Sequence, residues 1–231
     1  MTTVLITGAN RGLGLEFVKQ YAARGFEVLA TCRNLKDAEA LQVLAQKPSH
    51  HVKIYPLDVT KADSIKTLVN MLQGKPIDIL LHNAGTLGNP KEMFGEISSS
   101  DMLTVFNTNC VGPLKLSEAL LPQLLQSELK TIVAVSSSMG SIASNESGGY
   151  YTYRVSKAAL NAVLQSMAID LAPQGIRVLA LHPGWVKTRM GGEGALISPE
   201  ESVQGMCKVI DDEVRLPAPG FYRYDGQMIP F

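Results

Sequence analysis

Short runs of apolar and β-branched residues alternate along this chain with longer segments in which apolar positions recur at helical spacing. Seven such runs predict strands: Val4 to Thr7, Glu27 to Thr31, Val52 to Leu57, Ile77 to Leu81, Thr131 to Ser136, Arg177 to His182, and a weaker one at Phe221 to Tyr224. Between them the period changes to that of helices, over Leu13 to Arg24, Leu35 to Gln46, Lys61 to Leu72, Asp101 to Gln126, Tyr151 to Ala172 and Pro199 to Asp212. Gly25, Gly74 and Gly175 fall where left-handed C-caps would end three of these helices. Strands that alternate with helices form parallel sheets covered on both faces, so the pattern predicts a doubly wound α/β domain. No linker, repeat or low-complexity tract divides the chain, and the glycine-rich segment from Arg189 to Pro199 reads as a mobile loop.

Composition narrows the function classes. With 231 residues, 45% of them apolar, the chain is long enough for one domain with a substantial core. The 21 basic and 21 acidic residues cancel, so no global charge points to nucleic acid or an anionic membrane. Charged residues or glycines interrupt every apolar stretch before it reaches the roughly 20 residues of a membrane span. The opening MTTVLITGAN has neither the basic start nor the cleavage site of a secretory signal. Cys32, Cys110 and Cys207 are an odd number without metal-ligand spacing, which fits reduced thiols and a cytoplasmic location.

The first strand runs into Gly8-Ala-Asn-Arg-Gly12-Leu-Gly14 and then directly into a helix. Glycines there allow a pyrophosphate to approach the backbone, and the helix N-terminus offers it free N–H groups and the positive dipole end. The chain therefore reads as a Rossmann-type dinucleotide fold. At the end of the second strand, Thr31-Cys32-Arg33-Asn34 lacks the carboxylate that would bind a free ribose 2′-hydroxyl. Arg33, with Arg11 in the glycine turn, offers guanidinium groups to a 2′-phosphate instead, which selects NADPH/NADP+.

The spacing GxxxGxG with its preceding threonine resembles that of the short-chain dehydrogenase/reductase family. Further motifs follow in the family's order: Asp58 in LDVT, His82-Asn83-Ala84-Gly85, Asn109 in NCVG, Ser137 in VSSSMG, Tyr153 and Lys157 in YRVSK, and Pro183-Gly184 with Thr188 in HPGWVKT. The wording GGYYTYRVSKAALN resembles the carbonyl-reductase branch that includes Sniffer-type reductases and bacterial C-factor signalling proteins. The resemblance implies cofactor contacts from Gly8, Asn10, Arg11, Gly12, Leu13, Gly14, Arg33, Asp58, Val59, Asn83, Ala84, Gly85, Tyr153, Lys157, Pro183, Gly184, Val186 and Thr188. His82 replaces the first asparagine of the family's NNAG and is given no chemical role.

Tyr153 and Lys157 are four apart on one predicted helix, and neither Tyr150 nor Tyr151 has a lysine at that spacing. The resemblance makes Tyr153 the proton donor, Lys157 the cation that favours its phenolate and holds the nicotinamide ribose, Ser137 the donor to the substrate oxygen, and Asn109 the holder of a relay water. Ser136 and Ser138 compete with Ser137, whose interval to Tyr153 is a few residues longer than the family's. The implied activity is NADPH-dependent reduction of a carbonyl, whether aldehyde, ketone or quinone. Two alternatives stand beside it: an NADP-linked alcohol dehydrogenase running oxidatively, and a cofactor-binding signalling protein without significant turnover. Pocket walls are expected from Leu87 to Phe94, from Arg189 to Pro199 and, evenly weighed against a core position, from Trp185. Ala158, Ala159, Ala162 and Val163 suit close helix pairing, so a homodimer or homotetramer is expected.

Overall fold

The structure, a computed structural model, describes residues 1–212 and 218–231. Among these, seven strands form one parallel sheet in the order β3-β2-β1-β4-β5-β6-β7. They are β1 (Thr3–Ile6), β2 (Glu27–Cys32), β3 (His51–Pro56), β4 (Ile79–His82), β5 (Thr131–Val135), β6 (Arg177–His182) and β7 (Gly220–Arg223). Val4 of β1 pairs with Val28 on one side and Ile79 on the other, so the central strands read as continuous apolar runs because both faces are covered. On one face α1 (Gly12–Ala23), α2 (Glu39–Ala45) and α7 (Pro199–Asp211) close a core around Phe17, Tyr21, Leu41 and Met206. On the other, α3 (Ala62–Met71), α5 (Gly112–Leu125) and α6 (Tyr151–Leu171) close a second core around Leu68, Leu116, Leu160 and Phe221.

Two predicted helices are built differently. The segment expected as one helix from Leu35 to Gln46 begins as a separate 3₁₀ turn, Leu35–Asp37, before α2. Asn34 is the reason: its Oδ1 accepts from Lys36 N at 3.1 Å and its Nδ2 donates to Asp37 at 2.6 Å, local bonds that compete with a helical start. The helix expected from Asp101 to Gln126 starts earlier, as α4 (Ser99–Phe106), because Ser98 Oγ caps Asp101 N. It then opens into a π-helical turn, Asn107–Val111, before continuing as α5. Such a turn inserts a residue into the helical register and re-aims the side chains on it.

Strand order reverses between β1 and β4, and the loops after β1, β4, β5 and β6 gather at one edge of the sheet. Ligands of open α/β sheets bind at this crevice. Among the described residues no helix is long and apolar enough to cross a membrane, and all three cysteines are unpaired and buried.

Candidate active site

The glycine turn is packed as a cradle. A Cβ on Gly14 would lie 2.2 Å from the Gly8 carbonyl oxygen and 2.5 Å from Asn83 Nδ2, so no larger residue fits between α1 and the turn. Asn83 donates from Nδ2 to the carbonyls of Thr7 and Gly8, while Thr7 Oγ1 accepts from the N–H groups of Asn83 and Ala84. The Asn83-Ala84-Gly85 segment is thereby bolted to the end of β1. Asp58 accepts from Thr60 N and Thr60 Oγ1 through the same oxygen, which orders the turn before α3 and leaves its other oxygen without a partner among the described residues. His82 is turned away from the crevice. Its Nε2 lies 2.8 Å from Ser117 Oγ on α5, and burial drives its pKa down to about 3.

Arg11 and Arg33 come together at the predicted 2′-phosphate end, joined by a third arginine that the sequence reading missed. The charge of Arg189 depresses the Arg11 pKa, second only to burial, and Arg33 adds to it while Asp37 opposes both. Packing explains the proximity. Gly12 lies against Thr188, whose Cγ2 would be 3.7 Å from a Cβ at that glycine, so the residue after Thr188 is carried beside the glycine turn. Among the described residues none of the three arginines forms an ion pair. Three guanidinium groups outside any ion pair among the described residues, beside a glycine cradle, fit a phosphorylated dinucleotide. The only signal for Arg189 in the sequence was its place directly after Thr188.

The chemical cluster lies across the same edge. Tyr153 is buried on α6, and burial pushes its phenol up to about 12, against a hydrogen bond with Ser137 that pulls it down. Lys157 Nζ sits 5.8 Å from the centre of the Tyr153 ring and donates to the Val135 carbonyl at 2.8 Å. Burial lowers this lysine to about 8. Burial is the larger influence on this phenol, which keeps its proton near neutrality. That protonation state is the one a proton donor needs.

The structure separates Ser136 from Ser137. Ser136 Oγ donates to Asn161 Oδ1 at 2.6 Å inside the core, whereas Ser137 Oγ accepts from Met139 N and lies near enough to pull the Tyr153 pKa down. Gly140 fixes this arrangement, since a Cβ there would lie 2.8 Å from the Lys157 main chain. The longer interval between Ser137 and Tyr153 is taken up by the loop before α6. Arg154 clamps that loop, donating to the carbonyls of Gly148 and Gly149 and to Ser147 Oγ.

Asn109 lies in the π turn. Its Oδ1 accepts from Thr86 N at 2.8 Å, and its Nδ2 donates to Thr86 O and Ser156 Oγ. Both amide hydrogens are used within the protein, so a relay water would have to be held by an oxygen of this residue. Pro183 accepts from Ser202 Oγ, Gly184 packs against Ile197 and Tyr224, and Val186 is buried and bridges to Ile197.

The segment expected as a mobile loop is closed on itself. Lys187 N donates to Ile197 O, Leu196 N to Trp185 O, and Gly192 N to Thr188 O. Trp185 is 55% exposed, with Nε1 donating to Gly191 O, so it is not a core residue. Lys187, Thr188, Arg189, Gly192 and Glu193 line an open cavity of about 600 Å³ beside it. Met93, Phe94, Ile142 and Leu196 are also exposed in the loops of this edge. An apolar groove of about 410 Å³ between α3 and α5 lies outside the tyrosine–lysine cluster.

Residues 2–195 match the family model described as short chain dehydrogenase, and the chain belongs to this family of oxidoreductases. It is 43% identical over 156 residues to the C-signal protein of Myxococcus xanthus, a match covering 68% of this chain and 93% of that protein. Among solved structures it resembles an NADPH-bound carbonyl reductase from chicken fatty liver, with 36% identity, a TM-score of 0.93, and 100% and 99% of the two chains covered. It likewise resembles the carbonyl reductase Sniffer of D. melanogaster, with 35% identity, a TM-score of 0.92 and both chains fully covered.

Proposed function

We propose that this protein reduces an aldehyde, ketone or quinone to the corresponding alcohol or hydroquinone with NADPH, and that Tyr153 donates the proton. The observation that carries this reading is the buried Tyr153, with Lys157 Nζ 5.8 Å from its ring centre and Ser137 near enough to pull its pKa down. The glycine cradle and the cluster of Arg11, Arg33 and Arg189 would hold the cofactor, with Asp58 at the adenine end and Asn83 to Gly85 along the ribose. Bound there, NADPH supplies a hydride to the carbonyl carbon. The carbonyl π electrons move to oxygen, and the Tyr153 phenol gives that oxygen its proton while Ser137 donates a hydrogen bond to it. Lys157 stabilises the tyrosinate left behind until solvent returns the proton. The likeness to an NADPH-bound carbonyl reductase supports the same reading.

The same groups run an alcohol oxidation by microscopic reversibility, so an NADP-linked alcohol dehydrogenase is the reverse use of one site. The likeness to C-signal favours a second reading, a cofactor-binding signalling protein without significant turnover. The complete set of Tyr153, Lys157, Ser137 and Asn109 weighs for turnover. We place the protein in the cytoplasm as a homodimer or homotetramer paired through the outer face of α6, where Val155 and Ile169 are exposed beside Ala162. A panel of aldehydes, ketones and quinones, followed by loss of NADPH absorbance, tests the function. Turnover of none of them, with NADPH bound, sinks the reductase in favour of the signalling protein. Light scattering that returns only the 24.9 kDa chain mass at every concentration removes the oligomer.

A further inference from the structure

The helix that carries Tyr153 and Lys157 begins without a cap of its own. Tyr150, at the N-cap, has a left-handed backbone with φ of 48° and supplies no side-chain bond to the first turn. The first N–H groups of a helix need acceptors from elsewhere. One comes from 60 residues earlier in the chain, where the Glu92 carboxylate accepts from Thr152 N at 2.5 Å and from Thr152 Oγ1 at 2.7 Å. Glu92 is 5% exposed, so this carboxylate is buried. A carboxylate at a helix N-terminus also meets the positive end of the dipole.

The loop that bears Glu92, residues 86–98, has no regular structure, and it is fastened on the N-terminal side of the carboxylate. Thr86 is held by Asn109, and Gly88 is wedged between Val105 of α4 and Thr152 of α6. Immediately after Glu92, Met93 and Phe94 are exposed, and the Phe94 ring meets Tyr151 at 6.2 Å. One carboxylate therefore joins a wall of the crevice to the residue directly before Tyr153.

We propose that Glu92 is a positioning residue for the proton donor: by binding both donors of Thr152 it fixes the start of α6, and hence the Tyr153 phenol, relative to the substrate wall formed by the same loop. It touches neither substrate nor cofactor. This rests on Tyr153 being the proton donor. A small displacement of a reacting group costs up to about 100-fold in rate, so loss of the clamp reads out in the chemical step.

The test compares Glu92→Gln, Thr152→Val and their double variant, with Thr152→Ser as the conservative rescue and Glu96→Gln as the exposed control on the same loop. Glu92→Gln keeps the volume but turns an amide toward a donor. The expected result is a fall in kcat of at least about 10-fold in Glu92→Gln, with the NADPH dissociation constant changed less than about 2-fold. The primary isotope effect with deuterated NADPH rises, the double variant is no slower than the worse single variant, and Thr152→Ser and Glu96→Gln stay near wild type. A Glu92→Gln enzyme with a lowered Tm but unchanged kcat per folded molecule and an unchanged isotope effect overturns the proposal and leaves Glu92 a fold-stabilising cap.

Should the wild type turn over no carbonyl, the reductase reading fails by itself. The clamp is then read from amide hydrogen exchange in Glu92→Gln. Faster exchange confined to the Tyr151 to Lys157 segment supports it, and unchanged exchange there overturns it.

Discussion

The Lys157 ammonium donates to the main-chain carbonyl of Val135 at 2.8 Å, tying α6 to the last residue of β5 one turn beyond Tyr153. Burial holds this lysine at about 8, well below its ordinary 10.5, while the phenol it accompanies is raised to about 12. Of the two groups, only the lysine titrates near neutrality. The kcat/KM for carbonyl reduction is therefore expected to fall as pH rises through about 8, because the cation that stabilises the tyrosinate is lost. Lys157→Met abolishes that limb, slows turnover and weakens NADPH binding together. A flat profile from about pH 7 to about pH 10 in the wild type removes Lys157 from this role.

Tyr153→Phe keeps the ring against Lys157 and deletes only the phenol oxygen. Turnover falls by about 100-fold or more, the scale of general acid catalysis, while NADPH affinity measured by fluorescence titration hardly changes. Near-normal kcat in the folded variant would transfer the proton-donor role to another group, with Tyr151 the first to examine.

Arg33→Asp places a carboxylate where a 2′-phosphate would sit, so the ratio of kcat/KM for NADPH over NADH falls. The remaining arginines limit the switch, because Arg11 and Arg189 stay in the cluster. Adding Arg189→Ala lowers the ratio further and flattens the salt dependence of NADPH binding. An unchanged ratio in Arg33→Asp would exclude Arg33 from cofactor selection.

His82 and His182 are held neutral by burial, with pKa values lowered from 6.5 to about 3 and about 4. The unfolded chain binds protons near 6.5 that the folded chain refuses, so the sign is fixed. Stability from these groups is complete above about 6.5 and is lost as pH falls toward about 3. Urea midpoints measured down this range should drop less steeply in His82→Asn than in the wild type, whatever the substitution costs at neutral pH. Parallel slopes would mean that His82 takes up no extra proton on unfolding.

The alternation of strands and helices, the glycine turn and the tyrosine–lysine pair were legible in the sequence because each is local. A period of two or 3.6, a turn between adjacent elements, or two side chains four apart on one helix are all set by neighbours along the chain. The place of Arg33 directly after β2 was legible for the same reason, since the end of that strand is a fixed place in such a fold. The core bond that sets Ser136 apart from Ser137 was not, because it depends on Asn161 across the α6 interface. Neither was the π turn that aims Asn109, nor the protonation of Tyr153, which desolvation decides and desolvation belongs to the packed core. Arg189 and Glu92 were missed because their partners, the glycine turn and Thr152, are distant in sequence and meet only when the sheet is closed by both layers of helices. The sequence by itself determined the class of fold and which residue types stand at its ligand-binding edge. The tertiary structure decided which of them touch and which charges go unpaired, because contact and burial are properties of packing through space and are not written in the spacing of residues along the chain.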